Sequence, residues 1–387
     1  MDKKKQLAFN LNNFLLSTSH TLDFVESQYN NTTANHSKRI AFLSLKIGQK
    51  LNLNPKEMFD LCAYCLCHDI ALHEVKIKNE EYFNLSEEKI KNFPFLSNQK
   101  NVLKYQNEKI DGSGVFGLKE EEIPLFSKIL NFSHTLDEKF DLSKKKIRNR
   151  KDILTYVKEN SNKIFDQNIS KIFLDFSQSI DFWIDIQSEN DILQFIFNNL
   201  HDFTTALDFE DVLNITKIFF DILDRDSSFI SNCEKMCDFY EFEHKDKYTF
   251  LISASMSKIG KLLIPLNILQ KENKLSDEEY EEIKAYPYHN KKILSNIMGF
   301  NDIALCNSKI QELLDESGYP FNISAKDMGL KDRLLGSVNI YTSLTQKKSY
   351  RLAYSKSETI DILKDMAKNK KVDISIVNDI NDILVKD

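Results

Sequence analysis

The sequence predicts an all-α fold of two tandem helical units, on three observations: apolar residues recur at three- and four-residue spacing, strand-like alternation is nearly absent, and one six-residue signature occurs twice. At 387 residues the chain is long for one domain and natural for two of about 180. Six prolines and nine glycines are few, which favours helices over a design of sheets and turns. A hydrophobic fraction of 42% supplies ordinary buried cores, and 28 Phe against one Trp make those cores Phe-rich.

The elements follow in order. Ile40, Leu43, Ile47 and Leu51 form one apolar stripe; Leu61, Tyr64 and Cys65 form a second, with Asp69 on the same face. In the second half Ile215, Ile218, Phe219 and Ile222 repeat the habit. The signature Asp111-Gly112-Ser113-Gly114-Val115-Phe116 recurs as Asp315-Glu316-Ser317-Gly318-Tyr319-Pro320, each copy with a Glu three residues upstream, Glu108 and Glu312. Leu85 to Pro94 matches Leu275 to Pro287 with a short gap, aligning Phe93 with Tyr286; Ile164 to Phe173 resembles Lys371 to Ile380 more weakly. Each half therefore reads as a complete unit, 1–190 and 191–387, joined between Trp183 and about Asp202, where Asp185 to Asp191 breaks the apolar rhythm. No low-complexity linker separates the halves, so they are expected to pack together.

Composition excludes several function classes. A formal charge of -6 gives no basic footprint for DNA, and the runs Lys3-Lys4-Lys5 and Lys144-Lys145-Lys146 read as solvated faces or tails. No run approaches the roughly 18 consecutive apolar residues that span a membrane. The stretch Leu7 to Leu16 is too polar for a signal peptide. Six cysteines, three of them clustered as Cys62, Cys65 and Cys67, make no disulfide framework, so the expected compartment is the cytoplasm. That cluster has no second pair at metal-ligand spacing and reads as small core residues.

The candidates for chemistry are His36, His68, Asp69 and His134. Adjacent imidazole and carboxylate at His68-Asp69 suit a divalent ion such as Mn, Fe, Zn or Mg. Such an ion lowers the pKa of a bound water and polarises a phosphoryl oxygen. His73-Glu74 reads as a loop contact or a displaced ligand pair, and His201, His244 and His289 as surface residues. Asp111 to Gly114 reads either as a tight turn or as a backbone cradle for phosphate.

These residues resemble the HD-GYP branch of the HD phosphohydrolase superfamily, over nearly the whole chain and as two consecutive copies. The resemblance implies bacterial signalling, hydrolysis of cyclic di-GMP, and a centre of two or three metals. Carried over, His36 matches the isolated His of that family and His68-Asp69 its HD pair; His134 stands at the late Asp. Phe93 replaces the His before Pro, Gln106 and Asn107 replace a His pair, and the Gly-Tyr-Pro reads Gly114-Val115-Phe116. The second copy keeps Gly260-Lys261, Ile264-Pro265, Ile268 to Lys271, Gly318-Tyr319-Pro320 and Ser349-Tyr350-Arg351. Its metal positions read Arg225, Ser257, Lys258, Tyr286, Ile310, Gln311 and Asn339, from which no dimetal site can be assembled.

The expectation is thus a catalytically degenerate HD-GYP protein of bacterial signalling that acts by binding, either a nucleotide such as cyclic di-GMP or a protein partner. The Lys- and Asn-rich composition fits a host with an AT-rich genome. The alternative is a metal-dependent phosphodiesterase in which one ion, held by His36, His68, Asp69 and His134, activates water and Asp69 helps to orient it. A third reading gives the second half a purely stabilising or dimerising role.

Overall fold

The computed structural model describes residues 5–30, 32–144, 147–223, 226–348 and 351–385, with only the backbone at 147 and 148. Lys3, Lys4, Lys145, Lys146, Arg225, Ser349 and Tyr350, named above, lie outside the described residues. The chain divides into an N-terminal unit, residues 10–204, and a C-terminal unit formed by residues 205–387 with the first nine residues. That division falls later than the expected 190/191, and it gives the N-terminal strand to the other unit.

The first nine residues contribute β1 (Gln6–Phe9). The N-terminal unit holds α1 (Leu11–Ser27), α2 (His36–Lys50), α3 (Pro55–Leu66), α4 (Glu80–Ile90), α5 (Leu125–Phe140), α6 (Ile147–Asn160), α7 (Gln167–Phe176), α8 (Ile180–Asp185) and α9 (Glu189–Asn199). The C-terminal unit holds β2 (Thr205–Asp208), α10 (Phe209–Leu223), α11 (Ser228–Phe239), α12 (His244–Met256), α13 (Leu266–Leu269), α14 (Asp277–Lys284), α15 (Tyr286–Leu294), α16 (Asn301–Ser308), α17 (Leu330–Thr345), α18 (Lys356–Lys368) and α19 (Ile374–Ile380). β1 and β2 pair antiparallel, Gln6 opposite Asp208. Four-residue strands leave too short an alternation to stand out in a sequence.

The helices begin where the sequence offers caps. Asn54 and Glu57 form a capping box before α3, with Pro55 in the first turn, and Ser355 with Glu358 does the same for α18. Helix α2 is buried on nearly every side and packs against α1, α3, α5, α7 and α9, as the central helix of its unit. The α9 contact explains the late boundary: Phe195 stacks edge-on against Phe42 at 4.8 Å, Lys38 pairs with Glu189 at 2.6 Å, and Gln49 bonds Asn199. In the C-terminal unit α12 is packed among α10, α11, α16 and α17. None of the helices among the described residues is long and apolar enough to cross a membrane.

The repeated signature is a loop lock in both units. Buried Glu108 accepts the backbone N–H groups of Phe116 and Leu118, each at 2.8 Å; Glu312 accepts those of Phe321 at 2.6 Å and Ile323 at 3.3 Å. The glycines Gly114 and Gly318 are required by close approach: a Cβ on Gly318 would lie 2.3 Å from Leu313 N and 2.4 Å from Glu312 Cα. Neither neighbour can rotate away, since both are backbone. Gly318→Ala is therefore expected to destabilise the C-terminal unit by about 1–3 kcal/mol through overpacking. Denaturant unfolding monitored by circular dichroism measures this, and an unchanged midpoint would refute the lock.

Candidate metal centre and its altered counterpart

His36 opens α2, and Asp23 of α1 caps that helix by accepting the Ser37 N–H at 3.0 Å. His68 lies in the turn after α3, and His134 sits on α5. The three imidazoles form a nearly equilateral triangle, with ring centroids 5.4, 5.4 and 5.2 Å apart. Glu26, near the end of α1, completes the group: one ligand atom from each of Glu26, His36, His68 and His134 lies within 4.8 Å of all the others.

Two hydrogen bonds orient the rings. His36 Nδ1 donates to Asp137, and His68 Nδ1 donates to the Cys65 carbonyl at 2.9 Å. With Nδ1 engaged in this way, Nε2 is the ring atom left to face the cluster. His36 Nε2, His68 Nε2 and Glu26 Oε2 are all buried and make no hydrogen bond of good geometry; His36 Nε2 lies 3.5 Å from Glu26 Oε2 and His68 Nε2 3.2 Å from Asp69 Oδ2. Buried polar atoms are rarely left so, and three converging on one point fit a bound cation. His134 is suited to ligation as well: burial, and then the charge of Lys78, hold its imidazole neutral well below the usual histidine range.

Asp69, expected as a ligand, lies against the cluster with Oδ2 3.2 Å from His68 Nε2, and its carboxylate also meets Lys78 and Tyr82. Lys78 Nζ lies 3.1 Å from Asp69 Oδ1, 3.2 Å from His134 Nε2 and 3.8 Å from Glu26 Oε1, so an ammonium group stands at the edge of the cluster. The Tyr82 hydroxyl donates to Asp69 Oδ1. Burial would raise the Asp69 carboxyl, but the charges of His68 and Lys78 outweigh it and hold the group well below the usual carboxylate range. Glu26 goes the other way, pushed up by burial and by the nearby Asp69 charge.

The structure thus brings His36, His68 and His134, named from the sequence, together with Glu26 and with Lys78 at the edge, neither of which the sequence singled out. The available signal for Glu26 was an acid four residues after Leu22 and next to Val25, on the apolar stripe of α1. Phe93 and Gln106, which the resemblance sets at two histidine positions of the family, serve as framework: Phe93 is buried, and the Gln106 amide donates to the His68 carbonyl at 3.0 Å. The six cysteines are free and buried; burial pushes Cys62 well above the normal thiol range and Cys65 up to about 12. Glu74 pairs with Lys89. His201 and His244 are exposed, and His289 is half-buried. The Asp111 loop is a turn, with the Ser113 N–H donated to Asp111 at 2.9 Å and those of Phe116 and Leu118 to Glu108, so these groups are already engaged and do not face a phosphate.

In the C-terminal unit Asn339 stands nine residues into α17, as His134 stands nine residues into α5. Lys258, Gln311 and Asn339 all line one cavity, whereas Ser257 and Ile310 are buried and Tyr286 lies beneath the Lys261 ammonium.

Residues 23–169 and, independently, 209–376 match the HD domain family. The chain belongs to that family. Its HD domains occur twice, once in each unit, as the internal repeat implied. A cyclic di-GMP phosphodiesterase of Borreliella burgdorferi is 32% identical over 131 residues, covering 33% of this chain and 35% of that protein. A 3'3'-cGAMP-specific phosphodiesterase of Vibrio cholerae is 24% identical over 170 residues, covering 42% and 39%. The chain thus spans little more than a third of these relatives. The crystal structure of a cyclic GMP-AMP specific phosphodiesterase from V. cholerae superposes with a TM-score of 0.68 at 17% identity, over 98% of both chains, and shares the fold of tandem helical HD domains.

Proposed function

We propose that this HD-GYP-type protein is a cytoplasmic regulator of bacterial signalling that binds a cyclic dinucleotide, cyclic di-GMP or a relative, without hydrolysing it, and holds one divalent ion in its N-terminal unit. The observation that carries this is the make-up of the metal centre: among the described residues, a single set of three imidazoles and one carboxylate, with the Lys78 ammonium placed among Asp69, His134 and Glu26 where a second ion would need room. An imidazole-rich set favours Zn, Fe or Mn over Mg. A bound ion would supply Lewis acidity and an acidified water. The protein's own groups orient the ligands: Asp137 fixes His36, the Cys65 carbonyl fixes His68, and Lys78 with Tyr82 holds Asp69.

That the relatives act on cyclic di-GMP and 3'3'-cGAMP supports a nucleotide ligand, and the exchange of histidines for Phe93 and Gln106 supports binding without turnover. A second reading, a one-metal phosphodiesterase, is favoured by the three orphaned ligand atoms and the adjacent Asp69. Metal analysis tests the centre itself. The purified protein is expected to carry close to one equivalent of Zn, Fe or Mn, falling to a small fraction of that in His68→Ala. Equal metal content in both proteins would refute the centre.

A further inference from the structure

Of the side chains gathered at the N-terminal centre, Lys78 and His134 are the ones that reach solvent, 22% and 14% exposed against 1% for Glu26 and His36 and 3% for His68. The way in to the buried ligand atoms therefore passes Lys78. Its contact with His134 sets up a competition. Lysine carries only donors, so at 3.2 Å His134 Nε2 must be the acceptor. The lone pair with which that nitrogen would bind an ion is already engaged by an ammonium group. Glu26 poses the same choice, since its Oε1 lies 3.8 Å from Lys78 Nζ. Two cations that share buried partners repel each other strongly, because little water is present to screen them.

Lys78 also pins the loop that carries it. The segment from Val75 to Asn79 is anchored at its ends: the Val75 N–H donates to the Ala71 carbonyl at 3.0 Å, and the Asn79 side chain caps α4 by accepting the Tyr82 N–H at 3.1 Å. Between these anchors the N–H groups of Lys76, Ile77 and Lys78 have no backbone partner. Side chains do the rest: Lys76 Nζ lies 5.3 Å from the Tyr29 ring centroid, Ile77 is 73% exposed, and Lys78 turns into the centre, 3.1 Å from Asp69 Oδ1. A segment with so few backbone bonds opens locally at low cost. We propose that Lys78 is an ionic latch: loading the centre with one divalent ion displaces its ammonium from His134 and Glu26 and shifts the loop from Val75 to Asn79. Asp69, outside the set of four, keeps the ammonium beside the centre. The proposal rests on the one-ion centre above and adds its regulation, since ion occupancy is then reported at the surface.

The six native cysteines are buried, so an environment-sensitive thiol dye attaches selectively to the full chain carrying Ile77→Cys. The labelled protein is stripped with EDTA, desalted and titrated with Zn or Mn, with calorimetry following ion binding independently of the dye. The fluorescence should change saturably up to one equivalent and return when EDTA is added. With Lys78→Gln added, the signal should start near the loaded value and move little. The ion should also bind about tenfold or more tightly, because no ammonium has to leave first. With His68→Ala added instead, ion binding is lost and the signal should stay at the parent's starting value. Ion bound with an unmoved dye in the parent, or an equal shift with and without Lys78→Gln, would overturn the latch and leave the centre standing; no ion bound by either would overturn both. The parent titration needs no change at Lys78, so it decides the matter even where circular dichroism shows that Lys78→Gln has lost its fold.

Discussion

Asp137→Ala is expected to destabilise the N-terminal unit by about 3–5 kcal/mol, the effect of leaving a buried charge without its partner. Asp137 is 3% exposed. It receives Arg39 Nε at 2.7 Å and Arg39 Nη2 at 2.8 Å, a bidentate pair, together with His36 Nδ1 and the Leu142 N–H at 3.0 Å. Arg39 is itself buried, and its other bonds go to the Ala34 carbonyl and the Thr33 hydroxyl. Removing the carboxylate strands the guanidinium and frees the His36 ring, so stability and metal affinity should fall together. Burial would raise the Asp137 carboxyl, but the His36 hydrogen bond and the Arg39 charge outweigh it and hold it well below the usual range. A folded pKa depressed in this way contributes stability that is fully present above the unfolded value near 4 and is lost as pH falls through the folded value. The gap between the parent and Asp137→Ala in urea unfolding should accordingly be wide at pH 7 and narrow in strong acid. A variant within 1 kcal/mol of the parent, on the scale of an exposed ion pair, would show the pair to be dispensable.

Lys78→Met should make the folded N-terminal unit dependent on a divalent ion. In the parent the ammonium group answers the buried Asp69 charge at 3.1 Å. Without it Asp69, 5% exposed, keeps the Tyr82 hydroxyl and the neighbouring His68 ring but no fixed ammonium charge. Leaving that carboxylate uncompensated should destabilise the protein in EDTA by about 3 kcal/mol, which Zn or Mn restores by binding the native state. The parent, with its own cation in place, should respond to the same ions less. Thermal unfolding with and without metal measures both, and an equal metal response in the two proteins would contradict the role given to Lys78.

The helical class was legible because a 3.6-residue period survives in α2, α3 and α10, and the tandem arrangement because the Glu108 and Glu312 loops are locked alike. The boundary was harder to read. The polar run from Asp185 to Asp191 looks like a linker, yet it joins two helices of one unit, and Phe195 on the second of them packs against Phe42. His36, His68 and His134 could be found because histidines are few and one precedes an aspartate. Glu26 and Lys78 could not, since their roles exist only once α1 and the turn before α4 converge on α2. The contacts Asp69 makes with Lys78 and Tyr82 were hidden for the same reason, since adjacency shows only the one with His68.

The central claim is recognition of a cyclic dinucleotide without turnover, and the fate of the nucleotide tests it most directly. The Mn- or Fe-loaded full chain is incubated at stoichiometric concentration with cyclic di-GMP and with 3'3'-cGAMP, then denatured, and the nucleotide is separated by chromatography. The proposed function predicts that the bound dinucleotide is recovered intact. Linear product that grows with protein concentration and vanishes in His68→Ala would contradict it, and would make the N-terminal centre a working phosphodiesterase.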